Sequence, residues 1–180
     1  MRISARYVLF VIAIALQAGT VAANADSAYN KGVDAFRVKD FATARQHWEV
    51  AIQSNDPLAQ NNLGYLLYYG MGGSADQARA VALWRKAAVA AHSEAQWHLG
   101  QAYEDGKALS QNYAEAYSWY RCAAASAKAT AGDDKEYEQD LANDARQSLE
   151  KLLSKLSKED FANGEILAKQ CIAKYAGSDQ

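Results

Sequence analysis

Residues 57–92 read PLAQNNLGYLLYYGMGGSADQARAVALWRKAAVAAH, and residues 93–128 read SEAQWHLGQAYEDGKALSQNYAEAYSWYRCAAASAK. Set one above the other, they match at an offset of 36 residues. Ala59 falls on Ala95, Leu63-Gly64 on Leu99-Gly100, Gly70 on Gly106 and Ala80 on Ala116. Leu83-Trp84 falls on Trp119-Tyr120, and Ala87-Ala88 on Ala123-Ala124. A weaker copy lies upstream, where Asp40, Ala44, Trp48 and Ala51 precede Asp76, Ala80, Trp84 and Ala87 by the same interval. Alanine matches come cheaply in a chain with 38 of them in 180 residues; coinciding glycine, tryptophan and leucine do not. A fixed period of this size marks stacked supersecondary units.

Each unit reads as two helices. The start signals are Asp56 before Pro57, Ser74 with Gln77, Ser93 with Gln96, and the recurring Asp40, Asp76 and Asn112. The first helices are expected near 27–38, 57–69 and 94–105, the second near 41–54, 76–91 and 112–127. Gly70, Gly72, Gly73 and Gly106 break the chain between them. Leu63 with Leu67, and Leu99 with Tyr103, stand four apart and give each first helix an apolar face. Ala80, Trp84 and Ala87-Ala88 give the second helix its matching face, small residues allowing close approach and the ring filling the space between layers. One such hairpin cannot bury its own apolar face, whereas stacked copies can.

Outward from the repeats, residues 128–132 mark a break. Beyond it, Asp133–Leu156 carries one apolar stripe (Tyr137, Leu141, Ala145, Leu149, Leu152 and Leu156), with acids early and lysines late as the helix dipole favours. Ser157 opens a last helix to about Tyr175. This pair is expected to stack as a fourth hairpin and cap the array, with a loose tail from Gly177 to Gln180. At the other end, Arg2 and Arg6 precede an apolar stretch from Tyr7 to Leu16, then small and polar residues to Ala25. That is the layout of a secretory signal peptide, too short in its apolar core for a membrane span of roughly twenty residues. Cleavage is expected after Ala25, with Val21-Ala22-Ala23 as the competing site, leaving no stable membrane span. The resulting partition is 1–25 signal peptide, 26–56 a first hairpin, 57–92 and 93–128 two repeats, and 129–180 capping helices.

The pattern Ala-x3-Leu-Gly-x5-Gly, then Asp-x3-Ala-x3-Trp-x2-Ala-Ala, resembles the Sel-1-like repeat family. It stands here as Ala59, Leu63-Gly64, Gly70, Asp76, Ala80, Trp84 and Ala87-Ala88, and again as Ala95, Leu99-Gly100, Gly106, Asn112, Ala116, Tyr120 and Ala123-Ala124. Residues 27–56 lack the glycine loop and look more like a tetratricopeptide hairpin. The resemblance implies an all-α fold, a right-handed α/α superhelix used as a scaffold for protein–protein contacts. It also implies a secreted bacterial member, hence periplasmic or secreted.

In such a solenoid the first helices line the concave surface. Aligned on Gly32, Gly64 and Gly100, two rows result: Tyr29, Asn61 and Trp97, then Val33, Tyr65 and Gln101. Tyr29, Asn61, Tyr65, Trp97 and Gln101 are the candidate partner-binding residues, because rings supply contact area and amides pair with a peptide backbone; the alternative is that the rings are core. Tyr68, Tyr69 and Met71 form a second candidate patch. Cys122 and Cys171 are a disulfide candidate if the last two helices stack as a fourth hairpin, two buried thiols being the alternative.

The net charge is −2, and −4 once the two leading arginines are set aside, so nothing suggests nucleic-acid binding. No nucleophile or metalloprotease motif is present. Glu94 and His98 stand four apart with no third ligand in step, and a solvated polar face explains them. The expectation is a non-enzymatic adaptor with no cofactor and no metal, gripping a protein or peptide in its groove. The alternative is a β-lactamase-like or cell-wall-binding protein of the family's cysteine-rich branch, weakened because the paired cysteines of that branch are missing.

Overall fold

The computed structural model describes residues 24–129 and 135–176. Residues 1–23 of the expected signal peptide, residues 130–132 of the break expected at 128–132 and the tail at 177–180 lie outside the described residues; residues 24–25 and 128–129 are helical. Among the described residues eight α-helices follow one another: α1 (24–37), α2 (Phe41–Ala51), α3 (Pro57–Tyr69), α4 (Gln77–Val89), α5 (Ser93–Asp105), α6 (Tyr113–Ala129), α7 (Lys135–Leu153) and α8 (Lys158–Cys171), with a π-helical turn over Ile172–Ala176. There is no strand among the described residues.

Short acceptor side chains start these helices by satisfying backbone N–H groups that have no partner within the helix. Asp40 accepts from Thr43, Asp56 from Leu58, Asp76 from Arg79 and Asn112 from Glu115, at 3.0–3.1 Å. Pro57 fills the first position of α3, and Ser157 with Asp160 forms a reciprocal capping box on α8. Of the two signals expected before α4, Asp76 is the cap, while the Ser74 carbonyl accepts from the Arg45 guanidinium. One expected start moves. The cap of α5 is His92, not Ser93: the His92 Nδ1 accepts from Ala95 at 3.3 Å, and the Ser93 hydroxyl instead donates to Glu138 of α7 at 3.0 Å. Gly70 and Gly106 end α3 and α5 in the left-handed region; Lys39, with φ 62°, fills that role in the first unit.

Each first helix packs on the helix that follows it through a ring set against a glycine. Trp48, Trp84 and Tyr120 lie so close to Gly32, Gly64 and Gly100 that an added Cβ would stand 2.3–2.6 Å from a ring atom. The three rings are at most 2% exposed. With Leu63, Leu66, Leu67, Val81 and Leu99 and the alanines between them they form the cores of the array, each large buried side chain contributing about 1.5–3 kcal/mol. Neighbouring hairpins are also tied by polar contacts, Arg79 to Glu49 in a bidentate pair at 2.5–2.6 Å and the Tyr68 hydroxyl to Asp105 at 2.6 Å.

The C-terminal helices depart from the expected fourth hairpin. Both α7 and α8 pack against α6 and scarcely touch each other. The apolar stripe of α7 divides accordingly: Leu141, Ala145 and Leu152 are buried, while Tyr137 at its start is 51% exposed. α8 meets α6 through Gly164, which accommodates the Tyr117 ring, and through a cluster of Arg121, Tyr117 and Glu165. Cys122 and Cys171 are bonded, with Cα atoms 5.8 Å apart and a separation of 49 positions in sequence. Closing a loop of that length removes unfolded-state freedom worth about 4 kcal/mol on the chain-entropy account.

Candidate functional site

α1, α3 and α5 stand side by side, and their exposed edges form one concavity of about 560 Å³. The second helices hold its rows in place. The indole N–H of Trp48 donates to the Tyr29 carbonyl at 3.3 Å, and that of Trp84 to the Asn61 carbonyl at 3.2 Å. Tyr29 and Asn61 are therefore pinned from behind by the ring that their unit's glycine admits, while in the third unit the Tyr120 hydroxyl donates to Glu104 instead.

All five candidate residues, Tyr29, Asn61, Tyr65, Trp97 and Gln101, line this hollow. Four are partly buried, with faces open to it. Asn61 differs: it is 1% exposed, and its Nδ2 donates to Glu94 at 2.8 Å across the α3–α5 seam. It braces the floor rather than offering a free amide. Tyr103, expected in the core, is only partly buried. The second patch separates: Tyr68 is 4% exposed and belongs to the core, while Tyr69 is 52% exposed.

Residues that the sequence did not assign to the hollow also enter it, Glu94, His98 and Tyr137 among them. His98 is not on a solvated face. It is 2% exposed, stacks on Trp84 at 4.7 Å, and has Trp97 and Tyr65 rings 5.2 and 5.7 Å away. Its Nδ1 stands 3.2 Å from the Gln101 Oε1. Burial pushes the Glu94 carboxyl up, but the His98 imidazole and the Tyr137 hydroxyl pull it further down, leaving it below the ordinary carboxylate value. Burial and the nearby Asp56 charge push the Tyr29 phenol up. Among the described residues no group of three or more His, Cys, Asp or Glu is placed to hold a metal. The i to i+4 spacing of Glu94 and His98 was readable; their surroundings were not. Tyr137 comes from a helix outside the repeats, and no local pattern could have announced it.

Stacked hairpins whose first helices line a ring-rich hollow define an α/α solenoid of the repeat-scaffold class. Residues 57–90 and 93–127 each match the Sel1 repeat, so that stretch carries two Sel1 repeats. Two solved structures are similar. One is c5321, a protective antigen present in uropathogenic Escherichia coli strains displaying an SLR fold. It has a TM-score of 0.66 and 28% identity over 84% of this chain and 30% of that one. The other is a Sel1 repeat protein from Oxalobacter formigenes, with a TM-score of 0.57 and 26% identity over 79% of this chain and 55% of that one. This chain thus spans under two thirds of either relative. No curated protein matches it. Sel1 repeats are commonly protein-interaction modules.

Proposed function

We propose that the protein is a non-enzymatic adaptor of the cell envelope, exported to the periplasm, that binds a protein partner or an extended peptide segment of it in the groove of α1, α3 and α5. The observation that carries this reading is the meeting of Tyr29, Tyr65, Trp97 and Gln101 on one concavity. Rings that are partly buried and pre-positioned lose little freedom on binding and contribute the central contacts of an interface. Export is supported by the leader pattern of residues 1–23 and by the Cys122–Cys171 bond, which persists in an oxidising compartment. Ala25 is 3% exposed and lies within α1, so the upstream site after Ala23, which keeps it in the mature chain, is the preferred one. N-terminal sequencing of protein from the periplasm should begin at Asn24; an intact Met1 would contradict export.

The groove is tested by substituting Tyr65→Ala and Trp97→Ala together. Crosslinked partner recovered from the native envelope should fall at least tenfold while the far-ultraviolet circular dichroism stays unchanged. Undiminished recovery would refute binding in the groove. Lost helicity would show that the rings are core.

A further inference from the structure

We propose that the groove selects a basic side chain, the ammonium of a lysine or the guanidinium of an arginine on the bound peptide, with Glu94 as its counter-ion. The inference rests on the groove being the binding surface and names what that surface recognises.

Glu94 is the sole carboxylate lining the groove concavity, and no Lys or Arg lines it among the described residues. Its side chain is 29% exposed. One carboxylate oxygen receives the Asn61 amide at 2.8 Å. The other stands 3.7 Å from the His98 Nε2, beyond hydrogen-bond reach, and the Tyr137 hydroxyl also bonds the carboxylate. A charge in a ring-lined hollow costs free energy unless a counter-charge meets it. Here no permanently charged partner does so.

Two further buried polar atoms lie beside it. The Asn61 Oδ1 and the His98 Nε2 make no hydrogen bond within the chain, in residues only 1% and 2% exposed. Unpaired buried polar atoms are uncommon in folded proteins. The Asn61 oxygen joins the carboxylate as an acceptor, and lysine offers three donors and arginine five. Tyr29, Tyr65 and Trp97 add ring faces, whose negative quadrupole attracts a cation. A second concavity of about 600 Å³ adjoins the first, and the two share Tyr29, Asn62, Glu94 and Tyr137. Glu138 lines it, and the Asp56 charge reaches Tyr29. A peptide crossing from one hollow to the other therefore passes the Glu94 carboxylate at their junction, in a negative field.

The test uses the full mature chain and capped, fluorescein-labelled pentapeptides whose central residue is lysine, arginine, norleucine or glutamate, with four alanines around it. Fluorescence anisotropy should show the lysine and arginine peptides binding about tenfold or more tighter than the norleucine peptide, and the glutamate peptide weakest. Glu94→Gln should erase that preference, while Glu150→Gln, the same loss of charge at an exposed site on α7, should retain it. Equal binding of lysine and norleucine peptides would overturn the basic-residue assignment and leave the groove reading standing. A preference that survives Glu94→Gln would overturn the role of Glu94. No binding by any of the four would also overturn the proposal, the groove itself being judged by the Tyr65 and Trp97 experiment. The wild-type lysine-to-norleucine ratio decides the matter alone if Glu94→Gln fails to fold.

Discussion

Gly64 carries no side chain because Trp84 occupies the space. An added methyl carbon would sit 2.6 Å from the indole Nε1 and 2.8 Å from Cδ1. Two effects oppose each other in Gly64→Ala. Alanine gains about 1 kcal/mol of helix propensity over glycine. Overpacking a full core costs about 1–3 kcal/mol, and the shifted ring also strains its hydrogen bond to the Asn61 carbonyl. Because Trp84 is 1% exposed, it has nowhere to retreat, and overpacking wins. Gly64→Ala should therefore lose about 2 kcal/mol in urea unfolding; a midpoint equal to or above the wild type would refute the ring-against-glycine account. The pairing was legible as two residues recurring at the period, Gly64 with Gly100 and Trp84 with Tyr120. That one exists to admit the other was not, since sequence spacing does not say which atoms meet.

Helix α5 shows both the reach and the limit of local signals. Its span was predictable to within a residue, but its cap was not, because His92 is an unusual cap and Ser93 a common one. Ser93 is diverted by Glu138, a residue of a distant helix. The cap makes this end of α5 sensitive to acid. Burial, the largest influence, lowers the His92 pKa from 6.5. As the pH falls below 6.5 the unfolded chain takes up the proton before the folded one, so stability is lost as pH drops from 6.5 toward the folded value. Protonation also abolishes the Nδ1 acceptor that holds Ala95. His92→Asn keeps a capping acceptor without titrating, and its melting temperature should fall less than that of the wild type between pH 7 and pH 5.5. Parallel pH profiles for the two proteins would contradict this role. The C-terminal helices failed to follow the hairpin expectation for a related reason. Their amphipathic stripes fix which faces are buried, not which neighbour buries them, and α6 serves both.

At the scale of the whole molecule, the period of 36 residues was enough to specify hairpins, their stacking and the rows along the inner wall. It could not supply the charge within the groove. Glu94 and His98 look like a polar edge in sequence, and they become the floor of a hollow only when α1, α3, α5 and the start of α7 are assembled around them. That assembly is what the account depends on, since a groove built from four elements can hold a partner that no single helix could. The most direct measurement places a photoreactive amino acid at Gln101, on the inner wall, and separately at Val89, 59% exposed at the end of a second helix. After irradiation in the native envelope, the same partner should be captured from Gln101 and not from Val89. Capture from Val89 with none from Gln101 would show that the protein meets its partner outside the groove.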